Sequence, residues 1–377
     1  MPSQIRQQVI QAARTVVIKI GTSVLANDDD SLDVSRIASI AEQVYRIRQS
    51  GRQVVVVSSG AVGAGIGLLG LKERPSDLPH LQAAAAAGQA HLIRLYNDCL
   101  ETHGYRAAQV LLTANDFRHR ERYLNVRNTL NTLLEYPVVP IVNENDTVSI
   151  SGIQFGDNDA LAGMVNNLFD SSLLIVLSVI DGLLDGEPGD PSAKVIPLVK
   201  QFDDDLLGLA RSTKSRRGTG GMRTKLAAVR RVTDVGENVI IANGRTPGIL
   251  DQVMAGEETG TLFLAHDRNV PAWKRWIGYT IEPAGSIHVD AGARRALTEQ
   301  GRSLLSIGIT RVEGTFDKGE LVSVIDPDGE EFARGLTNYS NGQTHHLAGQ
   351  RVSSLGANAE EFPYDEVIHR DNLAVIR

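Results

Sequence analysis

Residues 53–67 read Gln-Val-Val-Val-Val-Ser-Ser-Gly-Ala-Val-Gly-Ala-Gly-Ile-Gly. Four consecutive valines form a short apolar run of β-branched residues, the pattern of a strand buried on both faces. Ser58-Ser59 and the glycines up to Gly70 then read as a glycine-rich loop. The uncharged stretch Val54–Leu71 is 18 residues long, which meets the lower limit for a membrane-spanning helix. The change from valines to serines and glycines favours a strand entering a loop, and no span is assigned. Outward from this segment, similar runs occur at Thr15–Ile20, Val138–Val142, Leu173–Val179 and Asn238–Ile241. Between them, Ser35–Gln49, Leu81–Thr102, Arg122–Glu135 and Gly221–Val235 carry apolar residues at helical spacing. Buried strands alternating with helices imply an α/β fold with an open, mostly parallel sheet sandwiched by helices.

The texture changes near Trp276. Leu321–Ile325 alternates and runs into Asp326-Pro-Asp-Gly, a strong turn sequence, and Glu331–Leu336 and Leu373–Ile376 are similar. The expected organisation is an α/β domain over residues 1–276 and a small β-rich domain over 283–377. The chain has 377 residues, 42% hydrophobic and 22% charged, enough for large cores and against disorder over most of its length. Its net charge of −7 is the wrong sign for a protein that coats nucleic acid or anionic membranes. The single cysteine, Cys99, excludes an internal disulfide and a Cys-based zinc site, which points to a reducing, cytoplasmic setting. Near the N-terminus the apolar run Val16–Ile20 is broken by Lys19, unlike the core of a signal peptide.

Four segments sit where strands should end, the edge at which open α/β sheets bind ligands. In Lys19-Ile-Gly-Thr-Ser23, a lysine inside an apolar strand needs a partner, because a buried unpaired ammonium is costly. A phosphate-directed lysine beside a glycine fits better than one snorkelling to solvent. Ser59 and the following glycines offer loop amides for an anion. Gly65-Ile-Gly-Leu-Leu-Gly70 matches the dinucleotide pattern G-x-G-x-x-G, but no acidic residue follows at ribose distance, and no Walker A sequence exists. Asn143-Glu144-Asn145-Asp146 and Gly156-Asp157-Asn158-Asp159 mix acids and amides within 17 residues, suited to an ammonium, a carboxylate or Mg²⁺. Asp159 is also a natural N-cap for a helix over Ala160–Leu168. Last, Arg211–Lys225 holds six basic residues and no acid, and Thr219-Gly-Gly-Met-Arg-Thr-Lys225 enters a helix as an anion site would. Two lysines, glycine-rich turns and acidic clusters at one sheet edge suit phosphoryl transfer, which depends on positioning and charge neutralisation.

These motifs, in this order, resemble the amino-acid kinase superfamily. Arg118–Leu130 (RHRERYLNVRNTL) and the appended β domain are similar to the glutamate 5-kinase branch, which ends in a PUA domain. The resemblance spans nearly the whole chain. It implies ATP-dependent phosphorylation of L-glutamate to L-glutamyl 5-phosphate, the first step of proline synthesis. By position it implies that Lys19 and Lys225 contact the ATP phosphates and the transferring group, with Asp159 holding both lysines. It assigns glutamate contacts to Ser59, Asp146 and Asn158. The nucleotide segments are then Ser178-Val179 and Thr219, Gly220, Gly221, Met222, Arg223, Thr224 and Lys225, with Mg²⁺ held mainly by the ATP phosphates.

One departure stands out. Where the family reads Thr-Asp-x-x-Gly-Leu-Tyr, this chain has Ser178-Val-Ile-Asp-Gly-Leu-Leu184, losing a carboxylate at Val179 and a ring at Leu184. The partners implied are L-glutamate, ATP, further copies of the chain as a dimer or tetramer, and a glutamyl phosphate reductase that takes the labile product. Two other readings remain: a relative acting on acetylglutamate, aspartate or carbamate, and an RNA-binding protein using its PUA domain. Residues 281–377 hold 15 acidic and 9 basic side chains, which opposes the RNA reading. No nucleic acid and no membrane are expected as partners.

Overall fold

The computed structural model describes residues 2–27, 31–149, 158–186, 190, 192–202, 206, 221–265, 277–278, 283–350 and 362–376. The chain divides into two compact units, Met1–Asn269 and Val270–Arg377. Among the described residues, no helix is long and apolar enough to cross a membrane.

The first unit is built on eight strands: β1 (Thr15–Ile20), β2 (Gln53–Ser58), β3 (Arg106–Leu112), β4 (Val138–Glu144), β5 (Ser172–Ser178), β6 (Leu198–Val199), β7 (Asn238–Asn243) and β8 (Thr261–Phe263). They form one sheet in the order β3-β4-β2-β1-β5-β7-β8-β6. Every pairing from β3 to β7 is parallel, and β8 runs antiparallel to β7. The central strand β1 is buried at all six positions, as a strand covered on both faces must be. Its register sets Lys19 between Val57 of β2 and Val176 of β5.

Helices on the first unit include α1 (Pro2–Ala12), α2 (Thr22–Leu25), α3 (Val34–Gln49), α4 (Ala61–Leu68), α5 (Leu78–Glu101), α6 (Ala114–Arg118), α7 (Arg120–Leu134), α8 (Asn158–Asn166), α9 (Met222–Thr233) and α10 (Ile249–Met254). In α3 the stripe Ile37, Ile40, Ala41, Val44 and Ile47 is buried, and the Asp33 carboxylate caps the start by accepting the Arg36 N–H at 2.9 Å. Ile18, Ile20, Val54 and Val56 join Ile37, Ile40, Val44, Leu92 and Tyr96 in one core.

The expected glycine-rich loop after β2 is corrected by the structure. Only Ser59 and Gly60 turn, Gly60 with φ of 107°, and Ala61–Leu68 is helical. The glycines serve helix packing instead. A Cβ on Gly65 would lie 1.7 Å from the Ala84 carbonyl oxygen, and one on Gly88 would lie 1.8 Å from that of Ala61. Only bare backbone lets α4 and α5 approach so closely, and that contact offsets the poor helix propensity of glycine.

The second unit holds β9 (Gly285–Val289), β10 (Leu304–Leu305), β11 (Ile309–Gly314), β12 (Leu321–Ile325), β13 (Glu331–Leu336), β14 (Glu366–Ile368) and β15 (Leu373–Val375), with helices α11 (Ala291–Thr298) and α12 (Asn341–Leu347). Five strands pair in the order β11-β9-β12-β13-β15, and β10 pairs with β14. The turn sequence at 326–329 closes the β12–β13 hairpin: Asp326 Oδ1 accepts the N–H groups of Asp328 and Glu330, and Gly329 takes φ of 85°. Its core includes Ile287, Val289, Val322, Val324, Phe332, Tyr339 and Ile368.

Candidate active site

Because β1, β2, β4 and β5 are parallel, their C-terminal ends share one edge, and the polar residues that follow them converge there. Lys19 is the penultimate residue of β1, and its side chain is 2% exposed. Its ammonium lies 2.5 Å from Asp159 Oδ1. Lys225, in the first turn of α9, donates to the other oxygen, Asp159 Oδ2, at 3.1 Å. The Asp159 carboxylate is fully buried between the two lysines. Helix α8 begins at Asn158, one residue before the expected cap, so Asp159 stands inside the first turn and meets the two lysines. One buried carboxylate against two ammonium groups leaves the three side chains at a formal charge of +1. Isolated buried charges are costly, and the sharing of Asp159 by both lysines offsets that cost.

Asn158 links the ends of two strands, β2 and β4, to the start of α8. Its amide nitrogen donates to the Ser58 carbonyl at 2.8 Å, to Ser59 Oγ at 3.0 Å and to Asn143 Oδ1 at 2.8 Å. Asn143 Oδ1 also accepts the Glu144 N–H at 2.8 Å. Beneath this, Ser58 Oγ and the buried Tyr96 hydroxyl share a hydrogen bond of 3.0 Å.

Asp146 lies in the turn after β4, held where the Asn145 N–H reaches the Leu112 carbonyl at 2.8 Å. Burial pushes its carboxyl up to about 6; the Glu144 charge adds to the rise and Arg74 opposes it. Burial also raises Glu144, against a hydrogen bond of 2.8 Å from Ser149 Oγ. Gln89 of α5 donates to the Glu144 carbonyl at 3.3 Å. Two half-buried carboxylates that each favour the neutral form make a place where a cation is favoured. The sequence marks Glu144 only as one of the acids of its cluster and gives no sign of Ser149 or Gln89. Glu144 and Gln89 are 55 positions apart, so only the fold joins them.

Ser178 ends β5, and its carbonyl accepts the Gly244 N–H at 2.8 Å, while Val179 beside it is 40% exposed. Gly221, Met222, Arg223 and Thr224 lead into α9, with Thr224 Oγ1 donating to the Gly221 carbonyl at 2.9 Å. Thr219 and Gly220, with Gly156, Asp157 and the basic run 211–217, lie outside the described residues. A cavity of about 400 Å³ is lined by Leu111, Thr113, Asp116, Arg122, Asn145 and Val148 among others.

The edge of the parallel sheet thus carries a buried Lys–Asp–Lys cluster and, after β4, a turn with two carboxylates. The model of the Amino acid kinase family matches residues 14–243, and that of the PUA domain matches residues 285–355. The chain is 46% identical over 372 residues to the glutamate 5-kinase of Geobacter sulfurreducens, covering 98% of this chain and 100% of that one. It is 44% identical to the glutamate 5-kinase of Rhodopirellula baltica, over 98% of this chain and 96% of the other. For that of Caldanaerobacter subterraneus the identity is 42%, over 96% and 97%. The chain belongs to the glutamate 5-kinase branch of the amino acid kinase family, with a C-terminal PUA domain.

Proposed function

We infer that this enzyme transfers the γ-phosphoryl group of ATP to the side-chain carboxylate of L-glutamate, giving L-glutamyl 5-phosphate, the first step of proline biosynthesis. The observation that carries the mechanism is the Lys19–Asp159–Lys225 cluster, set at the end of the central strand. A free γ-carboxylate has a pKa of about 4.3 and is ionised at neutral pH, so the nucleophile needs no general base. The barrier is the approach of an anion to an anionic triphosphate. Lys19 and Lys225 are read as the cations that neutralise the charge of the transferring group, preorganised by Asp159 so that little reorientation is needed.

The glutamate is assigned to the β2–β4–α8 side. Ser59 and the Asn158 amide take its polar groups, and Asp146, with Glu144 behind it, takes the ammonium. The nucleotide is assigned to Ser178, Val179 and Thr219–Lys225, with the apolar Val179 standing where the family's carboxylate would have offered hydrogen bonds. Asp159 is shared by two ammonium groups. Mg²⁺ is read as part of the nucleotide substrate, carried on its phosphates.

We place the catalytic domain in residues 1–276 and the PUA-like domain in 283–377. The chain is read as a cytoplasmic homo-oligomer that passes its labile acyl phosphate to a reductase. ADP release with L-glutamate, N-acetyl-L-glutamate, L-aspartate and carbamate tests the substrate. Blocking the amine would strand the Asp146 carboxylate at a cost of about 1–3 kcal/mol, so N-acetylglutamate should be about 5- to 150-fold poorer in kcat/KM. Equal efficiency with the acetylated substrate would reject the assignment.

A further inference from the structure

We propose that Arg245 is a positioning residue for the turn that follows β1, and through that turn for Lys19 and the nucleotide phosphates. The inference rests on reading Lys19 and Gly21–Ser23 as the phosphate end of the site. Gly21 lies close to the lysine: a Cβ placed on it would stand 3.7 Å from Lys19 Nζ. Among the described residues, the turn Gly21–Leu25 is hydrogen-bonded to its surroundings at three points. At its start the Gly21 N–H reaches the Leu177 carbonyl at 3.2 Å, and at its end the Leu25 carbonyl accepts the Asp33 N–H at 2.7 Å. In the middle, Arg245 Nη2 donates to the Ser23 carbonyl at 2.9 Å. The outer two are backbone bonds, whereas the middle one is a side chain that substitution can remove.

Arg245 is itself held in place from the far side of β5. Its N–H donates to Asn243 Oδ1 at 3.0 Å, and Asn243 Nδ2 donates to Asp181 Oδ1 at 2.8 Å. Arg36 Nη1 donates to the Arg245 carbonyl at 2.8 Å. Gly244 packs onto the same turn: a Cβ there would come within 2.7 Å of Val24 Cγ1 and 3.0 Å of Leu177 Cβ. Segment 243–245 thus ties the ends of β5 and β7 to the turn beside Lys19. Because Arg245 is exposed and both backbone anchors survive its loss, removing it should loosen the middle of the turn without unfolding the protein.

The test is steady-state kinetics with ATP and glutamate varied separately, direct binding of a non-hydrolysable ATP analogue, and thermal unfolding, on wild type, Arg245→Ala and Arg245→Lys. Losing one charge-assisted hydrogen bond that orders the turn should lower kcat/KM for ATP, and weaken analogue binding, by about tenfold. The glutamate KM should stay within about twofold, because Ser59 is held to the Ile20 carbonyl ahead of the turn by its own backbone N–H at 3.1 Å, a bond that survives the loss of Arg245. Tm should move by less than about 4 °C, as expected for an exposed side chain in a chain of this size. Arg245→Lys, which keeps a donor for the carbonyl, should recover most of the loss. ATP constants within twofold of wild type in Arg245→Ala would overturn the proposal, as would parallel loss on both substrates without rescue by lysine. If wild type released no ADP with glutamate, the functional reading would fall, and analogue binding would still decide the role of Arg245.

Discussion

Replacing Asp146 by asparagine should stabilise the free enzyme at neutral pH while weakening its hold on glutamate. The folded chain holds the Asp146 carboxyl at about 6, chiefly through burial and then the Glu144 charge, against about 3.9 for an unfolded aspartate. Between those values the folded state binds more protons than the unfolded one. Stability therefore falls as pH rises through this window, and the full cost persists above about pH 6. Two pH units correspond to about 3 kcal/mol, and relaxation of a half-buried turn reduces this, so a gain of about 1–3 kcal/mol is expected for Asp146→Asn at pH 7.5. Urea unfolding of both proteins should show the gap at pH 7.5 and its disappearance below about pH 4. Catalysis should move the other way. With the ammonium partner lost, the glutamate KM should rise roughly ten- to a hundredfold and kcat should change little, since the contact is made equally in ground and transition states. A variant less stable than wild type at pH 7.5, with an unchanged glutamate KM, would refute both the burial argument and the ammonium assignment.

Lys19→Ala and Lys225→Ala should each lower kcat by about 10²–10³-fold with smaller changes in KM, and stopped-assay ADP release that stayed near wild type would remove the lysines from the chemistry. The wild-type kcat/KM for glutamate should fall about tenfold per pH unit below about pH 6, as Asp146 takes up a proton; a flat profile down to pH 5 would contradict its role. Gly65→Ala and Gly88→Ala should each destabilise the enzyme by more than about 3 kcal/mol, because the new Cβ meets a carbonyl of the facing helix; a Tm loss under 2 °C would show that the helices part easily. The domain at 283–377, with 15 acidic and 9 basic residues over 281–377, should bind tRNA more weakly than about micromolar at physiological salt, and tighter salt-sensitive binding in gel shifts would show that net charge misleads here.

How legible these features were depended on burial. Strands β1, β2, β4, β5 and β7 are apolar on both faces, so their sequences read as continuous β-branched runs close to their observed bounds. Strand β3, Arg106–Leu112, escaped notice because it is an edge strand with Arg106 and Gln109 exposed, which breaks the pattern. Helix α1 was equally silent. Its Arg6 is 1% exposed and donates to the carbonyls of Pro197, Thr259 and Gly260, partners some 190 or more positions away. The glycines of α4 read as a loop because their purpose, contact with α5, is invisible along the chain. At the site, Lys19 stood out as a charge inside an apolar strand. Asp159 did not stand out on its own, since a carboxylate opening a helix is ordinary capping chemistry; its junction with Lys19 and Lys225 exists only once β1, α8 and α9 meet.

The central claim is that the carboxylate of glutamate, not water or an amine, accepts the phosphoryl group. Trapping the product with hydroxylamine measures this most directly, because an acyl phosphate yields a hydroxamate and a simple phosphate ester or hydrolysis product does not. The account predicts γ-glutamyl hydroxamate formed one-for-one with ADP, dependent on L-glutamate and nearly abolished in Lys19→Ala. ADP released without hydroxamate, or hydroxamate from N-acetylglutamate at the same rate, would contradict it.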